Sequence, residues 1–388
     1  MGMRVLFTTP GGLGHVHPTV PLARAMVERG HDVLWAAPPW ATEHVERAGL
    51  RSAPVAGIPP AGPAEVMRAY PELEAVPHPA RGEVMFGKLF GRMVAPAMLE
   101  GLVPIAQEFR PDLVIADQAE FAGHVVAAEL GVPSVTKGFG ALLSEARVRN
   151  AAEDVAPLWR SRGLEPRPYG GSYDRLYLDI YPAGLPQMEA SHVGRSQPLR
   201  PVTYDGPVDP SVTVPLPDGP ADGPLVYLTM GTVFNDVGPL SAAVAALAEL
   251  DVRLLVTVGP RGEPGALGPQ PSNVRVERYV PQSLVLPQCS VVVSHAGSGT
   301  SVATLSLGVP QLCLPQGADQ FMNADAISAV GAGLALAPPE ASADAISAAV
   351  KRLLAEDAFR AAAAGVATSI EGMPSPAEVA EVLESVPA

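Results

Sequence analysis

The stretch Val291–Thr300, VVVSHAGSGT, decides the fold class of this chain. An apolar run predicts a buried strand that ends at Ser294, and His295–Gly297 form a turn of small residues before a helix begins. Backbone N–H groups and the helix dipole favour an anion at such a helix start, and the imidazole of His295 adds a donor. The stretch therefore predicts an anion site at a strand–helix junction of an α/β domain.

The next predicted strand, Gln311–Leu314, leads into a second loop with polar side chains, Asp319 and Gln320. Because consecutive parallel strands end at the same edge of a sheet, we expect these two residues beside the anion site. A carboxylate and an amide side by side suit adjacent sugar hydroxyls. Together the two loops indicate a nucleotide sugar, and a tight structural loop at 318–320 is the alternative.

Strand-like and helix-like runs alternate in both halves of the chain, on either side of a proline-rich stretch, Tyr204–Pro224. This alternation predicts parallel sheets covered on both faces. We expect two doubly wound domains that face each other across a cleft. The predicted boundaries are an N-terminal domain at 1–205, a linker at 206–223, a C-terminal domain at 224–373 and a terminal helix at 374–388. We expect this helix to pack back on the N-terminal domain, with the C-terminal domain as the alternative.

A glycine-rich loop, Pro10–Pro18, follows the first predicted strand and contains His15. An imidazole titrates near neutral pH and suits a general base, and Asp117 at the end of the strand Leu113–Ala116 could orient it. A turn before a helix is the alternative for the loop, and an N-cap is the alternative for Asp117. His17 is a second candidate for the base.

Composition narrows the class of protein. The 388 residues carry a net charge of −14 and are 47% hydrophobic, which fits two domains and disfavours binding to nucleic acid or an anionic membrane. Two cysteines make neither a disulfide framework nor a metal site. We expect no signal peptide, no membrane span and a cytoplasmic location.

Four motifs resemble the donor-binding signature of the family 1 glycosyltransferases: Tyr279–Gln282, His295–Thr300, Gly308–Pro310 and Asp319-Gln320. The loop Gly11–His15 is similar to the acceptor motif of that family. The branch is that of actinobacterial enzymes that glycosylate natural products. The resemblance implies a GT-B fold, inverting transfer without a metal or cofactor, and a homodimer as a common state.

The resemblance also implies roles for single residues. His15 becomes the base that deprotonates the acceptor hydroxyl, with Asp117 as its partner. Tyr279 and the backbone of Val280 hold the pyrimidine base, while Asp319 and Gln320 contact the sugar. The other implied donor-binding residues, most of them around the pyrophosphate, are Gly12, Thr232, Gln282, His295, Gly297, Ser298, Gly299 and Thr300.

Ala303 marks a departure from the plant members of the family, which have a glutamate there that holds both ribose hydroxyls. Alanine has no group that could bind a 2′-hydroxyl, so we expect a dTDP-sugar as substrate in preference to a UDP-sugar. The chain has no Asp-x-Asp pair, so we expect no metal on the diphosphate.

Methionine and aromatic residues in the first half predict a large apolar acceptor, such as a polyketide aglycone. An ordinary helix core is the alternative for the run Met85–Met93. The predicted acceptor-binding residues are Met67, Met85, Phe86, Phe90, Phe139 and Trp159.

Two other functions share the fold. A nucleotide-sugar 2-epimerase would use carboxylates and needs no apolar acceptor region, and a non-catalytic partner of another transferase would lack the base. Hydride transfer on NAD is disfavoured, because His17 stands where the dinucleotide fingerprint has its last glycine.

Overall fold

The computed structural model describes residues 2–59, 61–77, 80–207, 213–219, 223–231, 237–259 and 262–386. The chain divides into two compact units. The first comprises Met1–Tyr181, Gln187–Arg200 and Pro374–Ala388, and the second comprises Pro182–Pro186 and Pro201–Met373. Parts of the stretch predicted as a linker, 208–212 and 220–222, lie outside the described residues.

The first unit is built on a parallel sheet. Its described strands lie in the order β3-β2-β1-β4-β5-β6-β7. These strands are β1 (Arg4–Thr8), β2 (Asp32–Ala37), β3 (Ser52–Pro54), β4 (Leu113–Asp117), β5 (Ser134–Lys137), β6 (Tyr177–Asp179) and β7 (Ser196–Pro198).

The helices of the first unit cover this sheet. They are α1 (Leu13–Val16), α2 (Val20–Glu28), α3 (Pro39–Arg47), α4 (Pro63–Ala69), α5 (Ala80–Phe86), α6 (Ala95–Phe109), α7 (Ala122–Leu130) and α8 (Glu145–Ser161), with a π-helical segment at Gly87–Val94 and 3₁₀ turns at His17–Thr19, Pro71–Ala75 and Pro168–Gly171.

The second unit repeats the plan. Its described strands are also parallel and lie in the order β10-β9-β8-β11-β12-β13. The strands are β8 (Leu225–Thr229), β9 (Arg253–Thr257), β10 (Val274–Glu277), β11 (Val291–Ser294), β12 (Gln311–Cys313) and β13 (Gly333–Ala335). The helices are α9 (Val237–Ala248), α10 (Gln282–Val285), α11 (Ser298–Ser306), α12 (Gln320–Ala329), α13 (Ala343–Ala355) and α14 (Asp357–Glu371), with 3₁₀ turns at Pro264–Leu267 and Leu286–Gln288.

Both sheets have central strands that are buried along their length, as parallel sheets covered on both faces require. In each sheet the strand order changes direction once, between β1 and β4 in the first unit and between β8 and β11 in the second. Open α/β sheets bind ligands at the carboxyl ends of the strands that flank such a switch point. The loops after these four strands are therefore where each unit is expected to hold a ligand.

The C-terminal segment belongs to the first unit. Its helix, α15 (Pro376–Glu384), starts with a capping box between Ser375 and Glu378 and packs against α2. The guanidinium of Arg29 donates two hydrogen bonds to the carboxylate of Glu384, at 2.7 and 3.0 Å, and His31 lies 3.0 Å from the same carboxylate. These contacts attach the end of the chain to the β1–α2–β2 region.

One helical stretch, Ala80–Phe109, is long and apolar enough to cross a membrane by length and composition, with 39% of its most apolar window buried. Core helices of soluble proteins have the same composition, so this is weak evidence for a span. Several of its side chains, including Val94, Met98 and Leu102, lie in the hydrophobic core of the first unit.

The buried histidine of α7 makes stability depend on pH. His124 lies 3.0 Å from the hydroxyl of Ser134 and 3.1 Å from that of Thr136, and burial lowers its pKa to about 4. Between pH 6.5 and 4 the unfolded chain protonates this histidine while the folded chain does not, so stability falls as the pH falls through this window.

We expect His124→Gln to remove this dependence. The free energy of unfolding of the wild type minus that of the variant should decrease by on the order of 3 kcal/mol between pH 7 and pH 4. Urea titrations at pH 7, 5.5 and 4 measure this difference. An equal difference at all three pH values would show that His124 is not buried in its neutral form.

Candidate active site

The glycine-rich loop after β1 places His15 at the switch point of the first sheet. Gly11 and Gly12 have φ values of 90° and 87°, which glycine adopts without strain. A Cβ atom on Gly11 would lie 2.9 Å from Nε1 of Trp40, so a side chain there would also collide with α3. Gly12 is the N-cap of α1, the one-turn helix that carries His15.

His15 and Asp117 form a pair in the structure, with Nδ1 of the imidazole 2.9 Å from Oδ1 of the carboxylate. Asp117 is buried, whereas 17% of the His15 side chain is exposed. A carboxylate at Nδ1 favours the tautomer with the proton on Nδ1, which leaves a lone pair on Nε2. This is the arrangement that a general base needs.

The alternative of Asp117 as an N-cap is wrong, because the N-cap of α7 is Phe121. Asp117 Oδ1 accepts a hydrogen bond from the backbone N–H of Ala119 at 2.9 Å, before the helix begins. The first turn of α7 is capped by Glu120, whose carboxylate accepts from the N–H groups of Ala122 and Gly123 at 2.6 and 2.9 Å.

Two aromatic side chains predicted to bind the acceptor contact the imidazole of His15. The ring of Phe139 lies 4.6 Å from it and that of Phe90 lies 5.8 Å away, centroid to centroid. Phe90 is on the π-helical segment, and its ring lies 5.0 Å from that of Phe86. The structure thus brings two of the predicted acceptor residues to the candidate base, and Phe86 packs behind Phe90 in the hydrophobic core.

The remaining predicted acceptor residues differ in exposure. Met67 and Met85 are half-buried on α4 and α5. Trp159 on α8 is only 1% exposed in the hydrophobic core, with the guanidinium of Arg167 over its ring. The prediction that Trp159 contacts a ligand is therefore wrong, because its indole is enclosed by the core.

Sequence reasoning missed two buried titratable residues next to the pair. Burial raises the pKa of Glu120 to about 7 and lowers the pKa of Lys137 to about 8. Lys137 ends β5 as Asp117 ends β4, and the two residues pair in register. The strand SVTK is otherwise uncharged, but a lysine at a strand end is ordinarily exposed, so nothing in the sequence indicated that Lys137 is buried.

In the second unit, the loop from β11 to α11 encloses His295 between two glycines. A Cβ atom on Gly231, which follows β8, or on Gly297, the N-cap of α11, would lie 2.4 Å from the His295 ring. Ala296 between His295 and Gly297 has a φ of 63°, a strained conformation for a residue with a side chain. The loop is held in a specific shape at the second switch point.

Burial lowers the pKa of His295 to about 4, and the carboxylate of Asp319 offsets only part of this by raising it. The imidazole is therefore neutral at pH 7 in the ligand-free protein and offers a single N–H donor. The positive end of the α11 dipole remains the main attraction for an anion at this loop.

Asp319 and Ser298 belong to one hydrogen-bonded network. The hydroxyl of Ser298 donates to Oδ2 of Asp319 at 2.7 Å, and the amide of Asn323 donates to the same oxygen at 3.0 Å. Asn323 also donates to the backbone oxygen of Ala296 at 3.0 Å. Asn323, four residues after Asp319 on α12, was not predicted, and it ties the two loops together.

Gln320 does not fit its predicted role in contacting the sugar. Its side chain is 2% exposed, and its carbonyl oxygen accepts from the N–H groups of Gln316 and Gly317 at 2.7 and 3.0 Å. The alternative of a structural loop is correct for Gln320. The carboxamide shapes the loop that presents Asp319.

Other predicted donor residues of the second unit also take part in internal contacts. The amide of Gln282 donates to the hydroxyl of Thr300 at 3.0 Å; Thr300 is buried and Gln282 is half-buried. Tyr279 is 48% exposed and donates to the backbone oxygen of Asp205 at 2.9 Å. Val280 is buried and Gly299 is exposed in the first turn of α11, whereas Thr232 lies outside the described residues.

Comparison with known proteins identifies the family. Two models of the Erythromycin biosynthesis protein CIII-like family match the chain, the N-terminal domain over residues 24–207 and the C-terminal domain over residues 241–386. The chain belongs to this family. It is a glycosyltransferase of the antibiotic-biosynthesis type with the GT-B fold.

Curated relatives match this glycosyltransferase over nearly its whole length. Elloramycin glycosyltransferase ElmGT of Streptomyces olivaceus is 34% identical, with 99% of this chain and 97% of the relative covered. L-demethylnoviosyl transferase of Streptomyces niveus is 33% identical, with 98% and 97% covered.

Among solved structures, the spinosyn rhamnosyltransferase SpnG matches with a TM-score of 0.82 at 28% identity and covers 99% of this chain and 100% of its own. SpnG has also been solved in complex with thymidine diphosphate and with spinosyn aglycone. These structures confirm the GT-B fold predicted from the sequence.

Proposed function

We propose that this glycosyltransferase moves a deoxysugar from a dTDP-sugar to a hydroxyl of a hydrophobic polyketide-type aglycone, with inversion at the anomeric carbon. The observation that carries the proposal is the contact between Nδ1 of His15 and Oδ1 of Asp117 at the switch point of the first sheet. It gives a histidine with a free Nε2 lone pair next to an apolar surface.

In the proposed step the acceptor oxygen attacks the anomeric carbon while Nε2 of His15 takes the hydroxyl proton. The bond between the anomeric carbon and the β-phosphate oxygen breaks, and its electron pair leaves with dTDP. Asp117 stabilises the imidazolium that forms, as the third member of a catalytic triad does. The proton is released to solvent after the product leaves.

The second unit supports binding of the diphosphate. The α11 start offers backbone N–H groups and a positive dipole end, and His295 lies directly before that turn. Among the described residues, no three His, Cys, Asp or Glu side chains are grouped as a metal site. Metal independence stays a prediction, as do the homodimer and the cytoplasmic location.

The acceptor class is supported by the rings of Phe90 and Phe139 against His15. Apolar and aromatic side chains bind large hydrophobic ligands with few specific polar contacts. The structure of SpnG with spinosyn aglycone shows that a similar protein takes such a ligand.

Mass spectrometry tests the function. The protein is incubated with a panel of dTDP-deoxysugars and polyketide aglycones, and we expect a product with the mass of aglycone plus one sugar, minus water. Incubation with the donor alone tests the 2-epimerase alternative. An isomerised donor without aglycone, and no product with any pair, would contradict the proposal.

The preference for the thymidine nucleotide is a separate prediction. Ala303 presents only a methyl group, so a 2′-hydroxyl would lose water without gaining a partner there. We expect dTDP to bind about tenfold more tightly than UDP. Titration calorimetry with both nucleotides measures the ratio, and equal or tighter binding of UDP would contradict the prediction.

A further inference from the structure

Lys137 is a buried lysine beside the His15–Asp117 pair. It is the last residue of β5 and pairs in register with Asp117, the last residue of β4. Residues paired in this way on parallel strands project to the same face of the sheet, with backbones about 5 Å apart. The side chain of Lys137 is completely buried, and its Nζ makes no hydrogen bond with any described residue.

Asp117 has the complementary feature. Its Oδ1 is engaged by His15 and by the backbone N–H of Ala119. Its Oδ2 is buried and makes no hydrogen bond within the described part of the chain. A buried ammonium and a buried carboxylate oxygen without partners are each costly, and an apolar residue at 137 would fill the same space at lower cost. The charge at this position therefore needs an explanation other than packing.

We propose that Lys137 is a positioning residue whose positive charge offsets the field of Asp117 at His15, so that Nε2 remains available as the base. The inference rests on the proposed function and deepens it. A carboxylate beside an imidazole favours the charged imidazolium, which is not a base. A buried cation close to the carboxylate opposes that effect, and in a buried site the opposition is strong.

The charge state of Lys137 agrees with this role. Burial lowers the pKa of Lys137 to about 8, and the negative charge of Asp117 partly offsets this by raising it. With this pKa the ammonium form predominates at pH 7. Lys137 therefore carries its charge in the pH range in which the base operates.

Several titratable groups lie on the elements packed against β5. Burial raises the pKa of Tyr177 on β6 well above its usual value and lowers the pKa of His124 on α7 to about 4, so both are neutral at pH 7. Burial raises the pKa of Asp179 on β6, whose carboxylate accepts from the backbone N–H of Tyr181.

Glu120 follows β4 and is a second buried carboxylate, which lies near Asp117. Burial raises its pKa to about 7, and its oxygens accept from the hydroxyl of Thr8 and from two backbone N–H groups at the start of α7. Its hydrogen-bonding capacity is thus used by partners other than the lysine. Asp117 is the group whose charge acts on Lys137.

The test is the pH dependence of kcat/KM for sugar transfer by Lys137→Met. Without the buried cation, the His15–Asp117 pair holds the proton on His15 more tightly. We therefore expect the acidic limb of the profile, where the rate falls with falling pH, to move up by roughly one pH unit. The rate at pH 6 should fall about tenfold more than the rate at pH 8.5, while the KM for the donor stays unchanged.

Further variants separate the electrostatic role from a structural one. Lys137→Gln should shift the limb in the same direction and provides the measurement if the methionine variant does not fold. Lys351→Met makes the same chemical change at an exposed site on α13 and should leave the limb in place.

An unshifted acidic limb in Lys137→Met and Lys137→Gln, together with a strongly impaired His15→Ala variant, would overturn this inference and leave the proposed function in place. A His15→Ala variant with normal activity would instead overturn the proposed function. The two failures are therefore distinguishable within one set of proteins.

Discussion

Replacing His15 with alanine should reduce kcat by about 10²- to 10⁴-fold, the range that a positioned general base contributes. The variant loses the only group that the proposal assigns to take the acceptor proton, while the helix start proposed to hold the diphosphate is in the other unit. Binding of dTDP, measured by titration calorimetry, should therefore equal that of the wild type. Single-turnover measurements with saturating donor and aglycone give the loss in the chemical step.

His17→Ala is the matched control for this prediction. It removes an imidazole two positions further along, at the start of the 3₁₀ turn that follows α1. We expect activity close to that of the wild type. Activity near the wild-type level in His15→Ala, or a comparable loss in His17→Ala, would show that the base has been assigned to the wrong residue.

Replacing Gly297 with alanine should have the second-largest effect, this time on nucleotide binding. The backbone at Gly297 has φ −65° and ψ 142°, which alanine adopts without strain, so the effect is purely steric. The new Cβ atom would lie 2.4 Å from Nε2 of His295, closer than real atoms approach, so the ring or the turn must move.

Displacing this turn disturbs the donors at the start of α11. Each hydrogen bond to a charged phosphate contributes about 1.5–3 kcal/mol, so we expect dTDP to bind roughly 10- to 100-fold more weakly. Gly365→Ala on α14 is the control, because a Cβ atom there meets open space. Unchanged dTDP affinity in Gly297→Ala would show that the diphosphate is not held at this turn.

The sequence predicted the parts of the fold and site that depend on local pattern. Apolar runs followed by glycine-rich or small-residue loops placed the strands β1 and β11 and the two loops that follow them. The strand ends left the role of Asp117 open, and the family resemblance implied that it pairs with His15. The two residues meet because β1 and β4 are neighbours in a parallel sheet.

What the sequence could not show depends on which way a side chain faces in three dimensions. Trp159 is a residue type that often contacts apolar ligands, but its side chain lies on the core side of α8. Gln320 stands beside Asp319 in the motif, yet its carboxamide closes its own loop. Lys137 was missed because a lysine at the end of a strand is ordinarily exposed, and only the register with Asp117 shows that it is buried beside the pair.

The central claim is that His15 deprotonates the acceptor while the start of α11 holds the diphosphate. A crystal structure with dTDP and an aglycone bound tests it most directly, through the distance between the reacting hydroxyl oxygen and Nε2 of His15. We expect about 2.6–3.2 Å, or one bridging water, with the diphosphate on the N–H groups of Ser298–Thr300. A hydroxyl remote from His15, or a nucleotide bound away from this helix start, would contradict it.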